Sequence, residues 1–166
     1  MSKPTEASRK TTVRRKRGNL HSARRTTIVR NTIRKRKIRS RGVSIAQLDR
    51  QVRQGFSYSE FEDLQSSLKL PAERLAEQVG LSRATLQRRK KSEGNLNAIQ
   101  SDRVVRLARL LGKAVDVFED EDIARRWMLS PQRGLGGEVP LDFAFTEVGA
   151  REVENLLGRI EQGVFT

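Results

Sequence analysis

Glu73-Arg74-Leu75-Ala76-Glu77-Gln78-Val79-Gly80-Leu81-Ser82-Arg83-Ala84-Thr85-Leu86-Gln87-Arg88-Arg89-Lys90 is the stretch that decides the fold. Leu75 and Val79 are one helical turn apart, and so share a face. Leu81 and Leu86 repeat that apolar character beyond a break at Gly80. Gly80 suits a turn that needs a left-handed backbone, where a Cβ is penalised. Ser82 is placed to accept a backbone N–H and start a second helix. Ala76 is small, as a close crossing of the two helices requires. The pattern therefore predicts a helix-turn-helix, with Leu75, Val79, Leu81 and Leu86 filling the wedge. In such a motif the second helix enters the DNA major groove, N-terminal residues first. Ser82, Arg83, Gln87 and Arg88 would then face bases and phosphates, because Arg suits guanine and Gln suits adenine. Lys90 and Lys91 would contact the DNA backbone, which positions without specifying. The competing reading is an ordinary helical hairpin with a solvated basic face. Arg89 stands where such motifs usually carry an aliphatic residue. Its stem can cover apolar surface while its guanidinium reaches a phosphate.

Outward from this hairpin the pattern is helical on both sides. Ile45, Leu48 and Val52 recur at helical spacing over 44–54, and Gly55 ends that helix. Ser57 or Ser59 can cap the next, with Phe61, Leu64 and Leu68 on its buried stripe. Pro71 suits the first turn of a helix over 71–79. After a second break at Gly94, a long helix is predicted over about 98–118. Its stripe is Val104, Leu107, Ala108, Leu111, Ala114, Val115 and Phe118. Asp120 to Leu129 predicts another helix, in which Ile123 and Trp127 are one turn apart. Trp127 and Phe118 are expected in the core. A Gly- and Pro-containing loop over 130–140 leads to a short turn at Leu141–Phe145. Thr146 then caps a last helix to about Gln162, buried through Val153, Leu156, Leu157 and Ile160, and Gly163 stops it. No strand and no internal repeat are predicted. The expected class is all-α: a helix-turn-helix domain over 43–97, a small helical domain over 98–166, and a disordered basic arm over 1–42.

Charge divides the chain in the same way. Residues 1–55 carry 18 Lys+Arg against two acids, Glu6 and Asp49, a net +16, whereas residues 56–166 carry 16 against 18, a net −2. Runs such as Arg14-Arg15-Lys16-Arg17 and Arg34-Lys35-Arg36-Lys37 make a polyanion the expected partner of the first third, since each neutralised phosphate releases counterions. The arm reads as a nonspecific DNA contact or as an RNA-binding segment. A plainer reading starts translation near Val43. That would need a non-AUG start, because no methionine lies between Met1 and Met128.

A family resemblance rests on several motifs in one order. They are Ser101-Asp102-Arg103, Val117-Phe118-Glu119-Asp120, Ala124-Arg125-Arg126-Trp127-Met128 with Ser130-Pro131, and Leu135-Gly136-Gly137-Glu138-Val139-Pro140-Leu141-Asp142. Gly149-Ala150-Arg151-Glu152-Val153 and the tail from Leu157 to Phe165 complete the set. Over about residues 45–165 the chain resembles the Xre/MbcA/ParS-type antitoxins, in particular the Xre partners of RES-domain toxins. The resemblance implies an all-helical homodimer that represses its own promoter and binds a co-encoded toxin through its C-terminal domain. RES-type toxins degrade NAD, so such a protein blocks an NAD-consuming enzyme without using NAD itself. Phe143 and Phe145 straddle one turn and are candidates for the dimer or toxin surface. Val164 and Phe165 follow the last helix stop with little chain left to cover them, and either anchor a partner or fold back on their own domain. Gln162 joins this candidate set, although the family usually has an aromatic residue at its position. Glu138-Val139 replaces a commoner basic-polar pair.

Other classes find little support in the residues. His21 is the one histidine and there is no cysteine, so no Ser-His or Cys-His pair for nucleophilic catalysis can be assembled in the helical region. The glycines at 134–137 are not followed by Lys-Ser/Thr, as a phosphate loop requires. Glu119-Asp120-Glu121-Asp122 reads as a helix start favoured by the dipole, with a metal site the weaker alternative. No enzymatic activity, cofactor or metal is expected. No apolar run approaches membrane-spanning length, and the absence of cysteine fits a reducing cytosol, so a cytoplasmic protein is expected. The alternative to an antitoxin is a stand-alone regulator or nucleoid-associated protein without a toxin partner.

Overall fold

In a computed structural model of the chain, residues 44–92 and 94–164 are described. The expected basic arm, with His21 and most of the excess charge, lies outside them, as does Phe165. Eight α-helices and one 3₁₀ turn follow one another among the described residues, without a strand. They are α1 Ile45–Gln54, α2 Tyr58–Leu68, α3 Ala72–Val79, α4 Arg83–Ser92, α5 Ala98–Phe118, α6 Glu121–Met128, the 3₁₀ turn Arg133–Leu135, α7 Pro140–Phe143 and α8 Glu147–Glu161.

The helix starts have local chemical causes. Asn97 accepts the backbone N–H of Gln100 while the Gln100 side chain accepts from the Asn97 N–H, a reciprocal capping box that starts α5. Asp120 caps α6 through the Ile123 N–H, and Thr146 caps α8 through the Gly149 N–H. Pro71 sits just before α3 rather than inside its first turn.

The 21-residue helix α5 is the spine. It packs against α1, α2 and α3 on the N-terminal side, and against α6 and α8 on the C-terminal side. Val104, Leu107, Ala108, Leu110, Leu111 and Ala114 are buried along it. One hydrophobic cluster runs from Phe56 to Leu157. The polar group deepest in this interior, the Ser101 hydroxyl, is satisfied, as burial demands. Ser101 Oγ accepts the Phe56 N–H at 2.8 Å and donates to the Asn97 carbonyl at 2.8 Å. Gly55 is required beside it: its φ is +87°, and a Cβ there would collide with the Leu96 carbonyl.

Several expectations about the core need correction. Ile45 is 89% exposed and α1 buries no residue completely; only Leu48 and Val52 pack on the cluster. Phe118 and Trp127 are half-buried, stacked at a tilt with centroids 5.7 Å apart on the rim of the core. The inward face of α6 carries Ala124 and Met128 instead, one position on from Ile123 and Trp127, which is a rotation of about 100°. In α8 the fully covered residues are Gly149, Ala150, Val153 and Leu157, with Leu156 and Ile160 only half-buried. The short helix ends at Phe143 rather than Phe145, because Thr146 must be extended to cap α8.

Candidate nucleic-acid interface and partner surface

The helix-turn-helix forms as the residues demand. Leu75, Val79, Leu81, Leu86 and Ala76 are all buried between α3 and α4. Gly80 adopts φ +78° and closes α3 through its N–H to the Glu77 carbonyl. The Ser82 hydroxyl accepts the Thr85 N–H at 3.1 Å and starts α4.

Helix α4 then presents Arg83, Ala84, Gln87, Arg88, Lys90 and Lys91 to solvent, beside an exposed Ser82. Its sequence holds five cations and no acid, the charge pattern of a phosphate-tracking helix. Lys90 and Arg89 do not point simply outward. Lys90 lies 3.6 Å from Glu73 on α3. The Glu73 carboxyl is held below the usual carboxylate range by its own backbone N–H and then by Lys90. Arg89 turns inward: it is half-buried and its Nε is enclosed without a partner. Its stem thus occupies the position at which an aliphatic residue was expected.

The partner-surface candidates are not brought to one place. Phe143 and Phe145 line a groove of about 990 Å³ at the start of α8, together with Val148, Gly149 and Asn155. Phe143 is half-buried against the core, whereas Phe145 is 43% and Val148 80% exposed. The carboxylates on the rim are largely engaged within the chain. Asp142 pairs with Arg74 at 2.5 Å, Glu147 with Arg106 at 3.1 Å and Arg151 at 3.3 Å, and Glu152 with Arg159 at 3.1 Å. Gln162 and Val164 are exposed at the opposite end of α8, roughly 20 Å away along its axis. There the Val164 N–H reaches the Arg159 carbonyl and Gly163 takes φ +71°, so the helix closes in a Schellman-type turn.

Sequence reasoning assigned no role to the side chains that join the two regions. Arg74 and Gln78 of α3 both reach Asp142, at 2.5 and 2.6 Å. Arg103 of α5 donates to the Val79 carbonyl at 3.3 Å and lies 4.2 Å above the Phe145 ring. Arg103 and Asp142 belong to motifs that carried the family resemblance, and that was their only signal in the sequence. Among the described residues no group of three or more His, Cys, Asp or Glu could hold a metal. Nor is any described helix long and apolar enough to cross a membrane.

Comparison with known proteins finds two domain models matching the chain in succession. The model of the antitoxin Xre-like helix-turn-helix domain matches residues 47–109. That of the antitoxin Xre/MbcA/ParS C-terminal toxin-binding domain matches residues 113–163. A Yersinia enterocolitica protein named antitoxin Xre is 34% identical over 116 residues, covering 69% of this chain and 78% of its own length. An antitoxin Xre of Photorhabdus laumondii is 42% identical over 87 residues, 52% of this chain and 59% of that protein. A Sphingobium protein named Prs ADP-ribosylating antitoxin is 24% identical over 123 residues, 69% of this chain and 77% of its own. With a matching helix-turn-helix, a matching C-terminal domain and these relatives, the chain belongs to the Xre family of antitoxins of toxin–antitoxin systems.

Proposed function

We propose that this antitoxin neutralises a co-encoded RES-type, NAD-degrading toxin by binding it, and represses its own operon by binding duplex DNA. The observation that carries the reading is one continuous core displaying two unlike surfaces. A cationic helix α4 stands on one, and an apolar groove at the entry to α8 on the other. Residues 43–97 read DNA, through Ser82, Arg83, Gln87 and Arg88 with Lys90 and Lys91 on the backbone. Residues 98–166 bind the toxin and pair two chains into a homodimer. Phe143, Phe145, Gln162, Val164 and Phe165 form the toxin contacts, and the length of α8 separates Phe143 and Phe145 from Gln162 and Val164. The protein acts by occupancy, needs no cofactor, catalyses nothing and works in the cytoplasm.

Co-expression with the adjacent gene tests the proposal. The neighbour expressed alone should deplete NAD and arrest growth. Adding this chain should restore both, and the two proteins should co-purify. A harmless neighbour, with DNA binding intact, would instead identify a stand-alone regulator. Rescue without co-purification would rule out neutralisation by binding.

A further inference from the structure

Helix α4 is held lightly. Among its described side chains only Leu86 is buried, and a helix that reads base edges must sit within about half an ångström of its working position. Its orientation is therefore set by what holds α3 and the turn at 79–82. That support comes in part from the C-terminal region of the molecule. Asp142, at the start of the partner groove, accepts hydrogen bonds from Arg74 at 2.5 and 2.6 Å and from Gln78 at 2.6 Å. Gln78 is itself buried, while Asp142 and Arg74 keep part of their side chains in solvent. At the turn, Arg103 donates to the Val79 carbonyl at 3.3 Å and Gln100 to the Gly80 carbonyl at 3.4 Å. The Arg103 guanidinium is steadied from its far side by the Phe145 ring, whose own carbonyl accepts from Arg106 at 3.0 Å. Gly80 leaves the space in which Arg103 lies: a Cβ there would meet its guanidinium.

We propose that Asp142, Phe145 and Arg103 are positioning residues for the DNA-reading helix. They act through α3 and the turn without touching DNA. The inference rests on the reading of α4 as the DNA-reading helix. It adds that operator discrimination depends on residues of the C-terminal region, two of which line the groove offered to a partner.

The test uses the full chain and two duplexes of equal length, one from the region upstream of its own gene and one of random sequence. Asp142→Asn keeps the side-chain volume and removes the charge. Phe145→Leu keeps an apolar side chain and removes the ring under Arg103. Affinity for the upstream duplex should fall about 5- to 20-fold for Asp142→Asn and about 2- to 5-fold for Phe145→Leu. Random-duplex affinity should hold, and so should the slope of log affinity against log salt. A phosphate contact, by contrast, would lower that slope by about one. A merely unstable variant would lose both duplexes in proportion to its unfolded fraction, and that result overturns the proposal. So does an upstream affinity unchanged in both variants while the parent protein discriminates normally. If Asp142→Asn does not fold, Phe145→Leu decides alone, because Phe145 is 43% exposed and outside the buried cluster. Failure of the parent protein to prefer the upstream duplex would instead overturn the DNA reading itself.

Discussion

Helices α4 and α8 are built in opposite ways. Helix α4 anchors itself by Leu86 and displays cations. Helix α8 sinks Gly149, Ala150, Val153 and Leu157 into the core, and leaves apolar surface at its ends, at Val148 and beyond Gly163 at Val164. Charge is cheap to expose and costly to bury, so a helix that meets a polyanion can remain almost wholly solvated. An apolar contact gains by leaving water, so the helix presenting it must be held by a core that hides most of its own apolar area. On the proposed function the two surfaces differ because their partners differ, and both stand on the one core around α5.

The sharpest way to break that comparison is to remove the anchors. Leu86→Ala and Leu157→Ala each delete a fully buried side chain, and each should cost about 2–5 kcal/mol of unfolding free energy in urea titrations. With one core, both variants should show a single, lowered transition. Two separated transitions would mean that the regions fold independently. A finer distinction concerns DNA. Gln87→Ala should cost about 1–3 kcal/mol on the upstream duplex and relax its preference over random sequence. Lys91→Ala should weaken every duplex alike and reduce the salt slope by about one. Equal losses for Gln87→Ala on both duplexes would remove it from base reading.

Capping offers a smaller effect. Ser82→Ala deletes the acceptor of the Thr85 N–H and should cost about 0.5–2 kcal/mol in thermal or urea unfolding. Amide exchange should quicken at the start of α4 and not at α8. The smallest effect is on acid stability. Asp122 is held below its ordinary value of 3.8 by hydrogen bonds from Arg125 and Lys69 and by their charges. A depressed folded-state carboxyl contributes stability above its unfolded value, and loses it as pH falls through the folded one. Asp122→Asn should therefore lower stability slightly at neutral pH and flatten the decline below about pH 4. An unchanged acid limb would show that this exposed pair contributes nothing measurable.

Much of this was legible in the residues. The wedge Leu75, Val79, Leu81 and Leu86, the turn at Gly80, the cap at Ser82 and the span of α5 all follow from spacing and local chemistry, because each depends on neighbours within a turn or two. The stripe over 44–54 gave the helix correctly but not its depth. Spacing identifies which residues share a face, but not whether anything lies against it, and Ile45 has no such cover among the described residues. Trp127 and Phe118 show the same limit: their size suggests burial, yet the two-turn α6 turns Ala124 and Met128 inward.

The sequence by itself determined the helices, the caps at Ser82 and Thr146, the cationic character of α4 and the family, since these are properties of short segments and ordered motifs. Only the tertiary structure decided that Phe143 and Phe145 lie apart from Gln162 and Val164, and that Arg74, Gln78 and Asp142 meet across 64 or more positions of chain. Such meetings arise from how helices pack around α5. A side chain's distant partner is set by that packing, and its own neighbours in sequence carry no record of it.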